Sequence, residues 1–415
     1  MILVKAPIHP VRCELNLPGS KSISNRVILL DAAYELGLQF KHLSDAEDTR
    51  LMRKALELIR SGKSNSIDIG HAGTDMRFLT AFLAATPGNY VLTGSERMQQ
   101  RPIGELVDAL TQMGAVIMYT GNTGYPPLQI KGRKLKGGDV TIRADISSQF
   151  ISALLLIAPL CEQGLRLRRN GKAVSTPYIA MTIELMKQMG VLVEEDEYSI
   201  QVKPCRPSKS TSVFEIESDW SSASYWFSCC ALSPSSTIQL NGLRKNSLQA
   251  DAKLPDIYKT FGVDTVFNSN GIELHSNGNG SPGYFEYDFT DCPDIAQTLA
   301  VTCVALGVEA KLRGLSTLRL KETDRITALI KELEKTGTAL NYEDDCLTIG
   351  HREVQHSMPE LQIETYQDHR MAMSFAPLSL RYPSVHILDP EVVSKSYPEF
   401  WEDLKSAGFS VNLRA

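Results

Sequence analysis

The sequence predicts an α/β (α+β) protein of two domains, each made of three repeated units with buried helices at the centre and sheets outside. Three observations carry this. Six helix-like stretches each end at a glycine, and after a shorter first interval those glycines recur about 70 residues apart, which marks an internal repeat. Six further segments, apolar nearly all round, interleave with the first set, and helices without a polar face belong inside a domain. Strand-like tails follow five of the six glycines.

In chain order the first set is LMRKALELIRSG to Gly62, IGELVDALTQMG to Gly114, PYIAMTIELMKQMG to Gly190, LPDIYKTFG to Gly262, ITALIKELEKTG to Gly337 and YPEFWEDLKSAG to Gly408. Their apolar residues recur at helical spacing on one face, so these are surface helices stopped by a glycine. The second set is SISNRVILLDAAYELG, GTDMRFLTAFLAA, SSQFISALLLIAPL, SSASYWFSCCALS, PDIAQTLAVTCVALG and DHRMAMSFAPLSL. Each of these opens on capping or small polar residues: Ser20 and Ser22, Thr74, Ser147 and Ser148, Ser221 and Ser222, Asp294, Asp368. Capping does not account for the longer polar side chains beside them, Lys21, Arg26, Arg77, Gln149 and Arg370. Free N–H groups at helix starts together with cations make anion sites. If the six starts converge, two domains face each other across an anion-binding cleft.

Composition narrows the partners. A chain of 415 residues accommodates two or three domains, and 43% hydrophobic with 22% charged residues is ordinary for a globular protein. The net charge of −5 gives no basic footprint for nucleic acid or an acidic membrane. The start, MILVKAPIHP, lacks a signal-peptide pattern. The longest apolar run, Phe150 to Cys161, is broken by Ser152 and Pro159 and is too short to span a bilayer. Eight cysteines without a CxxC pair read as free buried thiols in a reducing cytosol. Eight histidines without HxxxH or HExxH offer no transition-metal site. Nothing marks an oligomer surface, so a cytoplasmic monomer is expected.

Two segments concentrate the charge. LPGSKSISNR (17–26) resembles a nucleotide P-loop but has the wrong order and lacks the earlier glycine. In RLKETDRITALIKELEKTG, Ile326, Leu329, Ile330 and Leu333 predict an amphipathic helix ended by Gly337, with Lys321 and Arg325 in its first turn. Like charges four apart at the positive end of the helix dipole cost a few tenths of a kcal/mol. Glu322 would fall on the apolar stripe, where a lone carboxylate is expensive. A solvated helix end with a local ion pair is one reading. The other is an anionic ligand with several charged groups, because Lys21, Arg26, Arg77, Arg101, Lys321, Arg325, Arg370 and Lys395 all lie at helix starts or loops. Asp294 and Glu322 are then acid and base candidates.

Eight motifs in order carry a resemblance over the whole chain: LPGSKSISNR, AGTDMR (72–77), RPIGELVDAL (101–110), SSQF (147–150), DWSSASY (219–225), LRLKETDR (318–325), DHRMAM (368–373) and KSYPEF (395–400). With them the chain resembles the 5-enolpyruvylshikimate-3-phosphate synthases of the enolpyruvyl transferase family. The resemblance implies an inside-out barrel of two domains, each of three βαβαββ units, with the active site in the cleft between them. It implies a domain of residues 1–19 with 219–415 and another of residues 20–218. The implied reaction moves the enolpyruvyl group of phosphoenolpyruvate to the 5-hydroxyl of shikimate 3-phosphate and releases phosphate, in the pathway to chorismate and aromatic amino acids. It implies no metal or organic cofactor.

Residue by residue, the resemblance implies that shikimate 3-phosphate is held by Lys21, Ser22, Arg26, Ser147, Ser148, Gln149, Ser175, Tyr178, Asp294, Thr317 and Lys321. Phosphoenolpyruvate falls to Lys21, Gly73, Arg101, Gln149, Arg325, Arg370 and Lys395. Asp294 would take the hydroxyl proton and Glu322 would protonate the methylene carbon, with Lys21 and Lys395 beside the reacting groups. Glyphosate would compete with phosphoenolpyruvate.

The chain departs from the pattern in two places. The first repeat is short by roughly 20 residues between Met52 and Gly70, which predicts loss of an outer hairpin with the buried helix kept. His71, Asp75, Phe78 and Thr317 replace the family's usual residues, and His71 and Asp75 flank Gly73. Asp75 reads as a dipole-stabilising residue at a helix start. The related UDP-N-acetylglucosamine enolpyruvyl transferases share the architecture but carry a reactive cysteine in the region matching GELVDALTQMG, where this chain has none. A non-catalytic scaffold would not need Lys21, Arg101, Asp294, Glu322, Arg325 and Lys395 together, and an RNA-end-processing enzyme would call for basic character and a nucleotide motif.

Overall fold

The computed structural model describes residues 1–143, 147–171, 175–208, 212–278, 280–352 and 360–413. The chain forms two compact units, Met1–Ser20 with Glu217–Ala415, and Lys21–Ile216. It opens with β1 (Ile2–Lys5) and β2 (Arg12–Asn16), which belong to the first of these.

The unit Lys21–Ile216 runs α1 (Lys21–Tyr34), β3 (Gln39–Lys41), α2 (Glu47–Ser61), β4 (Ser66–Asp68), α3 (Gly73–Ala85), β5 (Gly88–Thr93), α4 (Gly104–Gln112), β6 (Val116–Tyr119), β7 (Leu128–Gly132), β8 (Gly138–Arg143), α5 (Ser148–Ile157), β9 (Leu165–Asn170), α6 (Thr176–Gln188), β10 (Val193–Glu195), β11 (Ser199–Val202) and β12 (Val213–Glu215). Its two four-stranded sheets share one plan. A parallel pair is extended by an antiparallel hairpin, in the orders β4-β5-β7-β6 and β8-β9-β11-β10. Among the described residues the third sheet is the parallel pair β3 and β12 alone. It belongs to the shortened first repeat, where α2 passes through Gly62 to β4 with no hairpin between them. This repeat therefore lacks the outer hairpin and keeps the buried helix GTDMRFLTAFLAA, α3.

The other unit continues with α7 (Trp220–Leu232), β13 (Thr237–Asn241), α8 (Leu254–Lys259), β14 (Val263–Phe267), β15 (Gly271–Ser276), β16 (Tyr284–Asp288), α9 (Ala296–Leu306), β17 (Glu309–Arg313), α10 (Arg325–Glu334), β18 (Thr338–Glu343), β19 (Cys346–Arg352), β20 (Leu361–Ile363), α11 (His369–Phe375), β21 (Val385–Ile387), α12 (Phe400–Ser406) and β22 (Ser410–Leu413). The same plan recurs three times, as β2-β13-β15-β14, β16-β17-β19-β18 and β20-β21-β1-β22. In the last of these the chain's first strand takes the inner hairpin position, pairing Ile2 with Ile387 on one side and with Leu413 on the other.

The helices divide as the apolar patterns predict. In α3, α5, α7, α9 and α11 nearly every residue is buried, whereas α2 and α10 bury one stripe, Met52, Ala55 and Leu56 or Ile326, Leu329 and Leu333. Small hydroxyl residues let the central helices approach closely while satisfying one another. Ser224 meets Thr298 at 3.2 Å, Thr298 meets Ser374 at 3.1 Å, and Thr302 donates to Ser228 at 2.8 Å. The six helix-ending glycines all have positive φ, from 63° at Gly62 to 94° at Gly114, a conformation L side chains adopt only with strain.

Three expectations need correction. The KETDR helix begins at Arg325, not Lys321, because Asp324 caps it by accepting from the Thr327 N–H at 3.2 Å; Lys321 and Glu322 lie in the turn before it. Thr74 and Asp294 are not caps: α3 has no side-chain cap, and Asp294 sits inside a 3₁₀ turn, Pro293–Ile295, that precedes α9. The cysteines are all free, but Cys205 is exposed and Cys13 and Cys346 are half-buried, since these three lie on sheet strands or a loop rather than in the central helices.

Candidate active site

In the unit Lys21–Ile216, the polar residues gather at the starts of α1, α3, α5 and α6. Lys21 opens α1 and its Nζ pairs with Asp48 at 3.0 Å. One turn on, Arg26 is 2% exposed and donates to Thr182 Oγ1 at 2.8 Å, the Ser22 carbonyl at 2.8 Å and the Tyr178 carbonyl at 3.4 Å. All three acceptors are neutral, and among the described residues no carboxylate pairs with Arg26. Burial lowers this guanidinium to about 10, so it stays charged at neutral pH with its charge unbalanced.

Gly73 opens α3 against Arg101. A Cβ on Gly73 would stand 2.4 Å from Arg101 Nη1 and 2.7 Å from Nη2, so only glycine admits the guanidinium there. Arg77 supports this corner by donating to the Gly73 carbonyl at 3.1 Å and the Pro102 carbonyl at 2.9 Å. Ser147 caps α5 through the Gln149 N–H at 3.3 Å, and the Gln149 amide donates to Thr74 Oγ1 at 3.3 Å, which joins the starts of α3 and α5. Ser148 is buried beside them. Ser175 precedes α6 with φ 52° and its side chain caps nothing.

The residues flanking Gly73 differ in kind. His71 is exposed and bonds Ser95 through Nδ1 at 3.0 Å. Asp75 is fully buried and accepts from Asn25 Nδ2 at 2.7 Å, while Asn25 accepts from Thr49 at 2.7 Å. Asp75 thus holds α1, α2 and α3 together as well as lying in the first turn of α3.

The other unit builds a denser charge cluster. Asp294 Oδ1 lies 3.3 Å from Arg325 Nη1 and 3.7 Å from Lys321 Nζ, and its Oδ2 lies 3.0 Å from Arg370 Nη2. Burial works to raise this carboxyl, but Arg370, then Lys321 and Arg325, outweigh it and hold the group well below the usual carboxylate range. Glu322 is clamped between Arg325 Nη2 at 2.9 Å and Lys395 Nζ at 3.0 Å. Arg325 is anchored from behind by Asp368, whose oxygens lie 2.7 Å from Nε and 3.4 Å from Nη2. Asp368 also caps α11 through the Arg370 N–H at 2.8 Å. Thr317 Oγ1 is buried and has no hydrogen-bond partner among the described residues.

These positions explain the awkward KETDR stretch. Lys321 and Arg325 do not repel across a helix turn, because carboxylates from 294, 322 and 368 lie among them. Sequence reasoning missed three contributors. Asp48 orients Lys21, Asp368 was read only as a cap, and Asp251 lies under Ser221, which donates to it. Only Asp368 gave a local signal, as the acidic residue before HRMAM. Among the described residues no group of three His, Cys, Asp or Glu could hold a metal ion, and no helix is long and apolar enough to cross a membrane.

Residues 5–404 match the family profile described as EPSP synthase (3-phosphoshikimate 1-carboxyvinyltransferase). A relative from Bacteroides fragilis named 3-phosphoshikimate 1-carboxyvinyltransferase is 46% identical over 418 residues, covering 99% of this chain and 98% of its own. One of the same name from Sulfurovum sp. is 38% identical, covering 96% and 97%. A solved EPSP synthase from Acinetobacter baumannii superimposes with a TM-score of 0.77 at 22% identity, over 99% of this chain and all of its own, which shows a shared fold. Full-length identity of this extent, on a fold of repeated units with buried helices, places the chain in the EPSP synthase family.

Proposed function

We propose that this chain transfers the 1-carboxyvinyl group of phosphoenolpyruvate to the 5-hydroxyl of shikimate 3-phosphate and releases phosphate, in the pathway to chorismate and aromatic amino acids. The observation that carries the reading is the cluster in which Asp294 and Glu322 are each held between cations. Such cations are drawn off by anionic substrates, which frees the carboxylates for proton transfer.

In this reading the units are the protein's two domains and each supplies part of the machinery. Lys21, Ser22, Arg26, Ser147, Ser148, Gln149, Ser175 and Tyr178 of one, with Asp294, Thr317 and Lys321 of the other, bind shikimate 3-phosphate. The unbalanced Arg26 charge and the unbonded Thr317 hydroxyl support this. Lys21, Gly73, Arg101, Gln149, Arg325, Arg370 and Lys395 bind phosphoenolpyruvate, whose carboxylate and phosphate suit forked guanidinium groups.

Asp294 takes the proton of the 5-hydroxyl. Glu322 gives a proton to the methylene carbon, C2 becomes cationic, and the 5-oxygen adds to it. From the tetrahedral adduct a methyl proton returns to Glu322, the C2–O bond to phosphate breaks with the Asp294 proton passing to the departing phosphate, and the vinyl group re-forms. Every step is proton transfer or oxygen addition and elimination, so no cofactor is called for. The working arrangement is a cytoplasmic monomer, which sedimentation equilibrium checks.

The direct test is phosphate release from purified protein. Release is expected only with phosphoenolpyruvate and shikimate 3-phosphate together. Release from phosphoenolpyruvate alone, or none with both, overturns the reading.

Gly73→Ala is expected to push Arg101 aside by steric contact. The KM for phosphoenolpyruvate should rise about ten- to a hundredfold, with calorimetric binding of shikimate 3-phosphate unchanged. An unaltered KM would remove Arg101 from the phosphoenolpyruvate site.

A further inference from the structure

A buried carboxyl group lies behind Arg370 that the reaction as written does not use. Asp251 sits in the 3₁₀ turn Ala250–Lys253 and is 2% exposed. Ser221, in the first turn of α7, donates its hydroxyl to Asp251 Oδ2. The same hydroxyl oxygen accepts from Arg370 Nη2 at 3.4 Å. Arg370 in turn reaches Asp294 through Nη2 to Oδ2 at 3.0 Å and through Nη1 to its carbonyl at 3.0 Å. Four separate segments are thus joined in one line: Asp251, Ser221, Arg370, Asp294.

Holding a carboxylate at position 251 is costly. Its Oδ1 is buried without a hydrogen-bond partner among the described residues. The groups facing it are Asp294 before α9, Arg370 on α11, Ser221 and Asp219 at the start of α7, and Cys292, with Lys253 at the end of its own turn, so a second and third acid stand beside it against Arg370. Burial, then Asp294, pushes Asp251 up to about 7, with Arg370 and Ser221 opposing.

We propose that Asp251 is a positioning residue for the transfer reaction: through Ser221 it holds the Arg370 guanidinium in place while Asp294 accepts the substrate proton. Asp294 is the closer partner of Arg370, and on accepting a proton it gives up the charge that attracts the guanidinium. The Asp251–Ser221 contact persists through that step. This rests on the site reading above, in which Arg370 grips phosphoenolpyruvate and Asp294 is the base.

The test is Asp251→Asn, which keeps size and an acceptor for Ser221 but removes the charge. A carboxyl raised in the folded state lowers stability as pH climbs from about 4 to about 7. Asp251→Asn should therefore raise the melting temperature by a few degrees at pH 8, a gain that fades toward pH 4. In the same variant kcat/KM for phosphoenolpyruvate should fall about tenfold, the scale of one weakened bond to a charged group. Calorimetric affinity for shikimate 3-phosphate should stay unchanged. Ser221→Ala should show the same kinetic loss, and the double variant no more than either single one.

A stabilised Asp251→Asn with unaltered kcat/KM for phosphoenolpyruvate overturns the proposal, as does a variant less stable at pH 8 with all constants reduced together. Arg370→Lys separates the two readings. If it leaves kcat/KM for phosphoenolpyruvate intact, the site reading fails and the proposal with it. If it impairs that constant while Asp251→Asn does not, the proposal alone fails.

Discussion

Glu322→Gln is expected to lower kcat by about a thousandfold, within the range of a lost general acid, while shikimate 3-phosphate still binds. The substitution is isosteric and sits in the turn before α10, so the Asp324 cap and the apolar stripe are untouched. Arg325 keeps Asp368 and Asp294. Lys395 loses the carboxylate 3.0 Å away, which favours its engagement with an anionic ligand. Binding of phosphoenolpyruvate should therefore be kept or tightened as turnover disappears, a split that separates a proton donor from a binding residue. Rapid-quench phosphate release and calorimetry on one preparation give both quantities. A kcat near that of the parent enzyme would falsify the acid role.

The second large effect is on stability. Arg325 and Asp368 form a buried pair, 2% and 0% exposed at their side chains, with Nε to Oδ2 at 2.7 Å. Removing one member of such a pair strands the other, and Asp368→Ala also removes the α11 cap. Asp294 and Glu322 soften the loss. A cost of about 3 kcal/mol is expected, read as a fall of roughly 10 °C in the unfolding transition of this unit. Replacing both partners, as Asp368→Ala with Arg325→Leu, should restore part of that stability and no activity, because the stranded guanidinium is gone while α11 stays uncapped, Asp294 and Glu322 each lose one cation, and the substrate cation is gone too. Differential scanning calorimetry on the three proteins decides it. Equal transition temperatures for the parent and Asp368→Ala would mean the pair contributes nothing.

What the sequence made readable was local or periodic. Gly62, Gly114, Gly190, Gly262, Gly337 and Gly408 announce the repeat because a left-handed helix end suits glycine best, and that requirement recurs once per unit. The buried helices were plain because segments such as GTDMRFLTAFLAA have no polar face to give to water. The missing hairpin was visible as missing length.

Partnerships across the chain were not readable. Arg325 meets Asp368 43 residues away, and Ser221 meets Asp251 30 residues away, with no pattern joining them. The start of α10 went wrong for a different reason. The charges of KETDR drew the helix boundary toward Lys321, although Asp324, a capping residue before an apolar stripe, marked it. Asp75 looked like a dipole effect because nothing in GTDMR reveals that Asn25 lies opposite it.

The position of β1 between β21 and β22 also sets an order of events during synthesis. Ile2, Leu3 and Val4 leave the ribosome long before their partners Val385–Ile387 and Ser410–Leu413. At about 5–20 residues per second the nascent chain carries that apolar strand unpaired for some tens of seconds. Among the described residues every strand of Lys21–Ile216 pairs within that unit, which can close while translation continues. The growing chain thus carries a self-paired unit with an unpaired apolar strand ahead of it, and the interval before β21 and β22 arrive is when a chaperone has most to protect.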